Sequence, residues 1–167
     1  DCVKKFDGMF AFGIWDKNRE TFFLARDRLG IKPLVYYLDE DTFIFASEIK
    51  AILVHPGIDK TRDDTAIYDY LTYGYIPSPK TPYKKIRKLE AAHTFTFRRD
   101  LSHYSKYWDI DFQSVSELMD IGQATKLVSE KLSQAVKTHL VSDVPIGAFL
   151  SGGVDSSALV ACMSKLT

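Results

Sequence analysis

Cysteine is nearly absent. The 167 residues hold two, Cys2 and Cys162, too few for a disulfide framework and spaced unlike any zinc site, so a reducing, cytoplasmic setting is expected. Histidine is scarce too: His55, His93, His103 and His139 are scattered without ligand-like spacing, and none is read as metal-binding. No sign of charge is in excess, since Lys plus Arg and Asp plus Glu both count 22. That balance excludes a global field drawing the chain onto nucleic acid or an anionic membrane. The one local basic stretch, Lys80 to Lys88 (KTPYKKIRK), lies between two expected elements and reads as a solvated loop. No apolar run approaches the ~20 residues of a membrane span. The opening DCVKKFDG lacks both the apolar core and the initiating Met of a signal peptide. A chain starting on Asp is expected to have lost something upstream.

What is present is apolar material: hydrophobic residues make up 46% and aromatics 13%, enough to build a core and to exclude intrinsic disorder. Length alone predicts one domain. From Met9 to Ser47 the sequence reads as four strands with tight turns, implying an antiparallel sheet. MFAFGIWD and TFFLARD flank the turn Asp16-Lys17-Asn18, and VYYL and TFIFAS flank Asp39-Glu40-Asp41. SEIKAIL begins a short helix. Thr61 to Tyr73 reads as a second helix, entered through Asp63 or Asp64 and stopped at Gly74. YIPSPKTPYKKI, with three of the six prolines, is expected to be an ordered extended loop. Ala92 to Phe97 and Tyr104 to Ile110 alternate as a hairpin around Arg98-Arg99-Asp100. Phe10, Phe12, Trp15, Phe22, Phe23, Phe43 and Phe45 fall at strand spacing and are expected in the core.

After Asp111 the period becomes helical. Ile121, Ala124, Leu127, Val128, Leu132, Ala135 and Val136 form one apolar stripe on a helix ending near Leu140. PIGAFL is expected to be a buried parallel strand. It runs into SGGVDSS and a further helix, so an α/β unit is expected to start here, with its boundary at Gln113 to Glu117.

In SGGVDSS, Gly152 and Gly153 permit a tight strand-to-helix turn and leave the backbone open to a ligand. Ser151, Ser156 and Ser157 add hydroxyls, and the helix N-terminus favours an anion such as phosphate or pyrophosphate. Alternatively, Asp155 and Ser156 serve only as a helix N-cap. The pattern is neither the G-x-x-x-x-G-K-[ST] loop nor G-x-G-x-x-G. SDVPIGAFLSGGVDSS resembles the pyrophosphate loop of ATP pyrophosphatases in its asparagine synthetase version. The resemblance implies that Ser151, Gly152, Gly153, Asp155, Ser156 and Ser157 surround the pyrophosphate of ATP, with the backbone of Leu150 against the nucleoside. It also implies that Asp155 is a Mg²⁺ ligand, directly or through water.

FDGMFAFGIWD, LARDRLGIKPLVYY and FASEIKAIL resemble the later part of a class II glutamine amidotransferase domain. The implied fold is an incomplete α+β sheet-and-helix unit of the N-terminal-nucleophile type over residues 1–112. The start of a Rossmann-like α/β ATP-pyrophosphatase domain is implied over 113–167. That family's nucleophile is a cysteine at the very N-terminus with its own α-amino group as base. Cys2 follows Asp1 and precedes Val3 rather than glycine, so no catalytic residue is assigned here. Arg26, Asp27, Gly30, Lys32, Pro33, Glu48 and Lys50 are the remaining motif residues; the R-D-R stretch is either a salt-bridged corner or a face toward the partner domain.

The resemblance implies an interior piece of a ligase that uses glutamine, aspartate, ATP and Mg²⁺ and forms asparagine through β-aspartyl-AMP. The piece itself is expected to be inert. A homodimer is expected for the whole enzyme, with no nucleic-acid or membrane partner. Two rivals remain: a relative acting on another carboxylate or closing a β-lactam ring, and a non-catalytic nucleotide- or partner-binding module.

Overall fold

The computed structural model describes residues 2–99, 101–112 and 119–166. The chain divides into two compact units, Asp1–Ile110 and Asp111–Thr167, so the single domain expected from length is replaced by two. The expected boundary at Gln113 to Glu117 lies outside the described residues.

The first unit is built on antiparallel strands. A short 3-10 turn (Cys2–Lys5) precedes β1 (Ala11–Asp16) and β2 (Thr21–Arg26), then β3 (Val35–Leu38) and β4 (Phe43–Ala46). Helices α1 (Ile49–Leu53) and α2 (Asp64–Tyr73) lead to β5 (Ile86–Lys88), β6 (His93–Arg98) and β7 (Leu101–Lys106). The turns form where short acidic side chains bond their own backbone. Asp16 accepts the N–H groups of Asn18 and Arg19 at 3.0 and 3.1 Å, and Asp39 accepts those of Asp41 and Thr42 at 3.2 and 2.9 Å.

The four early strands do not share one sheet. β1 and β2 join β6 and β7 in the order β1-β2-β6-β7, whereas β3 pairs with β4 and β5 in a second, three-stranded sheet. Aromatic packing explains the division. Tyr36 stacks on Phe95 at 5.0 Å, Phe43 on Phe97 at 4.9 Å, and Phe22 meets Phe43 at 5.3 Å. One face of β3 and β4 therefore packs on the first sheet. The opposite face, with Val35 and Tyr37, buries against Ile52, Ile58 and Ile86. Covered on both sides, VYYL and FIFA read as continuous apolar runs.

Helix α2 follows the sequence expectation. Asp63 caps it by accepting from Thr65 and Ala66, and Gly74 ends it at φ +76°. The basic stretch departs from the solvated-loop reading. Thr81 and Ile86 are fully buried, Lys80 pairs with Asp69 at 2.7 Å, and Ile86–Lys88 forms β5 beside β3. The second hairpin is also tighter than expected: Arg98 faces Leu101, so β7 begins before Tyr104.

The second unit holds α3 (Ile121–His139) and α4 (Val154–Met163). Asp120 and Gln123 form a reciprocal capping box that starts α3, and Leu140 caps its end. The buried strand expected at PIGAFL is corrected: residues 145–150 form no strand and all are exposed. A strand exists through its ladder partner, and the described part of this unit contains two helices and no second strand.

Candidate functional site

The glycine turn enters α4 as the sequence led one to expect, with a different division of labour. Gly152 adopts φ +82°, a backbone region that costs an L side chain about 1–2 kcal/mol. Gly153 is the N-cap at ordinary angles, φ −78° and ψ 162°, and no side chain caps the helix. The plain capping role considered for Asp155 and Ser156 is therefore corrected: both lie inside the first turn, past the cap position.

Around this turn the hydroxyls converge. Ser151 Oγ lies 2.9 Å from Ser156 Oγ, and Ser156 and Ser157 donate to the Gly153 carbonyl at 3.1 and 2.8 Å. Gly153 N–H donates to Ser151 Oγ at 3.4 Å. A Cβ on Gly152 would meet nothing within 4 Å, and one on Gly153 only Ser151 Oγ at 3.5 Å. The backbone here is open, and Leu150 and Val154 are exposed.

Such a helix start is suited to an anion. The first-turn N–H groups have no acceptor within the helix, and the helix dipole places partial positive charge on the same spot. Asp155 is the acidic residue of that first turn. The donor set suits Mg²⁺ of the kind that travels with phosphates. Among the described residues no group of three His, Cys, Asp or Glu could hold a metal by itself. One carboxylate and several hydroxyls leave most ligand positions to phosphate and water, as Mg²⁺ prefers.

Beside the turn, α3, α4 and the preceding segment enclose an apolar groove of about 460 Å³ lined by Leu132, Val136, Ile146, Phe149, Leu159 and Met163, among others. Only Val136 of the expected α3 stripe is buried. Ile121 and Val128 are exposed.

The motif residues of the first unit come together as a backbone clamp. Asp27, 1% exposed, accepts the N–H groups of Leu29 and Ile31 on Oδ1 at 3.2 and 2.9 Å, and those of Lys32 and Phe10 on Oδ2 at 2.9 and 3.3 Å. Burial pushes its carboxyl up, but the amides of Lys32, Ile31, Phe10 and Leu29 outweigh that and hold it below the usual carboxylate range. Arg26 donates to the carbonyls of Lys32, Leu89 and Gly30 at 2.8, 2.6 and 2.6 Å. Neither forms a salt bridge among the described residues. Gly30 turns the chain at φ +66°; Lys32 and Pro33 are exposed. Glu48 and Lys50 form an exposed pair at 2.7 Å. Cys2 is exposed and Cys162 half-buried, both as free thiols.

Sheet order and site define a chain in two parts: an α-and-β unit with antiparallel sheets, then a helical unit carrying an uncapped glycine turn. The chain belongs to the glutamine amidotransferase domain family, whose model matches residues 1–108. A second family model, described as asparagine synthase, matches residues 127–167. The chain is 43% identical to a putative glutamine-hydrolysing asparagine synthetase 2 of Methanocaldococcus jannaschii, across 100% of this chain and 33% of that protein. It is 41% identical to the glutamine-hydrolysing asparagine synthetase 3 of Bacillus subtilis, over 96% of this chain and 26% of the relative. Amidase chry2 of Gibberella zeae is 32% identical over 95% of this chain and 24% of its own length. The chain thus spans a third or less of the length of these curated relatives. Among the described residues no helix is long and apolar enough to cross a membrane.

Proposed function

We propose that this chain is part of a cytoplasmic, homodimeric glutamine-dependent asparagine synthetase. Residues 1–112 supply the later part of its N-terminal-nucleophile amidotransferase domain, and residues 113–167 open its Rossmann-like ATP-pyrophosphatase domain. The reaction is ATP, aspartate, glutamine and water to asparagine, AMP, pyrophosphate and glutamate. The observation that carries the reading is the uncapped start of α4 behind Gly152, with three serine hydroxyls turned onto it.

As the bond between the α and β phosphates of ATP breaks, negative charge grows on the departing pyrophosphate. The N–H groups of Val154, Asp155 and Ser156 are already fixed toward that position and need no reorganisation. Ser151, Ser156 and Ser157 can rotate from one another and from the Gly153 carbonyl onto phosphate oxygens. The backbone of Leu150 would lie against the nucleoside. Asp155 would hold Mg²⁺, directly or through water, and the bound ion neutralises phosphate charge.

A second reading keeps the chemistry and changes the acceptor to another carboxylate; one relative bears the name amidase and not asparagine synthetase. Competition between aspartate and other carboxylates on the full-length protein decides between the two. The loop itself is tested by titrating the ¹⁵N-labelled chain with Mg²⁺-pyrophosphate. The amides of residues 151–157 are expected to shift together and saturably. An unchanged spectrum at millimolar ligand would overturn the assignment.

A further inference from the structure

A polar cavity of about 350 Å³ lies in the first unit beside the Arg26 turn, lined by Arg26, Ser78, Glu90, His93 and Lys106, among others. The fold brings these residues together from distant parts of the chain. The ladder between β6 and β7 sets His93 opposite Lys106. Arg26 reaches the same corner by donating to the carbonyl of Leu89, the neighbour of Glu90.

Each of the principal groups is pinned and keeps capacity to spare. Glu90 accepts the Tyr104 hydroxyl on Oε2 at 2.7 Å, and its own N–H donates to the Tyr104 oxygen at 3.2 Å. Burial pushes the Tyr104 phenol above its ordinary value, so the hydroxyl stays a donor. Glu90 Oε1 takes no hydrogen bond among the described residues. The His93 ring stacks on Tyr104 at 4.6 Å, with Nδ1 2.8 Å from the Ala91 carbonyl. A carbonyl only accepts, so Nδ1 carries the proton, and Nε2 of the neutral ring is left as an acceptor. Arg26 spends three of its five N–H groups on carbonyls. Lys106 is held by Asp109 and keeps further donors, and Ser78 adds a hydroxyl.

Arg26 and Glu90 bring opposite charges to one cavity and, among the described residues, do not pair with each other. A lone anion would meet the Glu90 carboxylate, and a lone cation would meet Arg26 and Lys106, so either is opposed by one side of the site. A small molecule carrying both charges satisfies both sides. We infer that the cavity binds a free α-amino acid, its carboxylate toward Arg26 and Lys106 and its ammonium toward Glu90. Ser78 and His93 Nε2 are left for the ligand's side chain. The volume falls within the range of small-ligand sites, about 300–1,000 Å³, and groups already pinned lose little freedom on binding. The inference rests on the cavity alone. The proposed reaction consumes two α-amino acids and releases two, so ligands of this class are present wherever it runs.

The test is a titration of the ¹⁵N-labelled chain with L-asparagine, read at single amides. Saturable shifts are expected at Gly30, Ala91 and His93 at millimolar ligand. Succinamate lacks the ammonium and β-alaninamide lacks the carboxylate. Each is expected to bind at least about tenfold more weakly, the loss of one hydrogen bond to a charged group. Glu90→Gln keeps an oxygen for the Tyr104 hydroxyl and removes the charge. It is expected to leave melting unchanged, to weaken L-asparagine binding by a similar factor and to leave succinamate binding no weaker. Three results would overturn the inference: no shift at these amides with millimolar L-asparagine, equal affinity for the three ligands, or undiminished L-asparagine affinity in Glu90→Gln.

Discussion

Arg26 and Asp27, neighbours at the end of β2, hold opposite polarities of one turn. The Asp27 carboxylate accepts the N–H groups of Leu29, Ile31 and Lys32, and the Arg26 guanidinium donates to the carbonyls of Gly30 and Lys32. Arg26 also reaches Leu89 and Asp27 reaches Phe10. The pair thereby ties the turn to β1 and to the segment entering β6. Two adjacent opposite charges here act as backbone partners.

Asp27→Asn should be among the most damaging single substitutions in the first unit. Asparagine keeps the shape but presents one oxygen and one amide that donates, facing N–H groups that also donate. The expected loss is about 1.5–3 kcal/mol, the range for hydrogen bonds to a charged group. The native carboxyl lies below its unfolded value of about 3.9. Its contribution is therefore present above that pH and is lost as pH falls through the native value. Melting temperature against pH should drop on the acid side for the native chain and less steeply for Asp27→Asn.

Gly13→Ala tests how closely the two sheets approach. A Cβ at Gly13 would lie 2.4 Å from Phe45 Cζ and 2.9 Å from Leu24 Cδ2, distances no real contact tolerates. Phe45 is held by Phe22 and Phe43, so its ring has little room to retreat. Overpacking of this kind costs about 1–3 kcal/mol, and chemical denaturation should show it as a lower midpoint with an unchanged slope.

These cases separate what the sequence reveals from what it conceals. The cap at Asp63, the stop at Gly74 and the turns at Asp16 and Asp39 were legible because each depends on a side chain bonding its own neighbourhood. The split into two sheets was not, because it depends on Phe43 and Tyr36 meeting Phe97 and Phe95 from distant parts of the chain. β5 was hidden among prolines and lysines for the same reason: its strand character comes from β3. At the glycine turn, the positive φ of Gly152 was legible from residue type. The cap position was not, since Gly153, Asp155 and Ser156 are all acceptable caps by propensity.

Glutamine hydrolysis by the purified chain should not exceed buffer background, and Cys2→Ser should leave it there. The resemblance requires a cysteine whose free α-amino group is the base. The nitrogen of Cys2 is a peptide amide joined to Asp1, with its lone pair delocalised and no basicity to offer. Ammonia release measured with and without the substitution settles the point, and release that depends on Cys2 would show that another base serves it.

The glycine turn before α4 yields the sharpest contrast, because its two glycines should answer differently to the same methyl group. Gly152→Ala must place an L side chain at φ +82°, so it should destabilise the second unit by about 1–2 kcal/mol, even though the added Cβ meets no atom within 4 Å. Gly153→Ala adds its methyl at ordinary angles beside Ser151 Oγ and should cost less, up to about 1 kcal/mol, because Ala is a poorer N-cap than Gly. If the open backbone is the place where phosphate sits, the Gly153→Ala methyl should also weaken pyrophosphate binding, since it projects into the space the ligand needs. On the proposed role of Asp155 as a Mg²⁺ ligand, Asp155→Asn should weaken binding only when Mg²⁺ is present, because it leaves the N–H groups untouched. Thermal melts and calorimetric titration of the three variants, each with and without Mg²⁺, separate the backbone's role from the ligand's. Equal pyrophosphate affinity in all three would remove the loop from the nucleotide site.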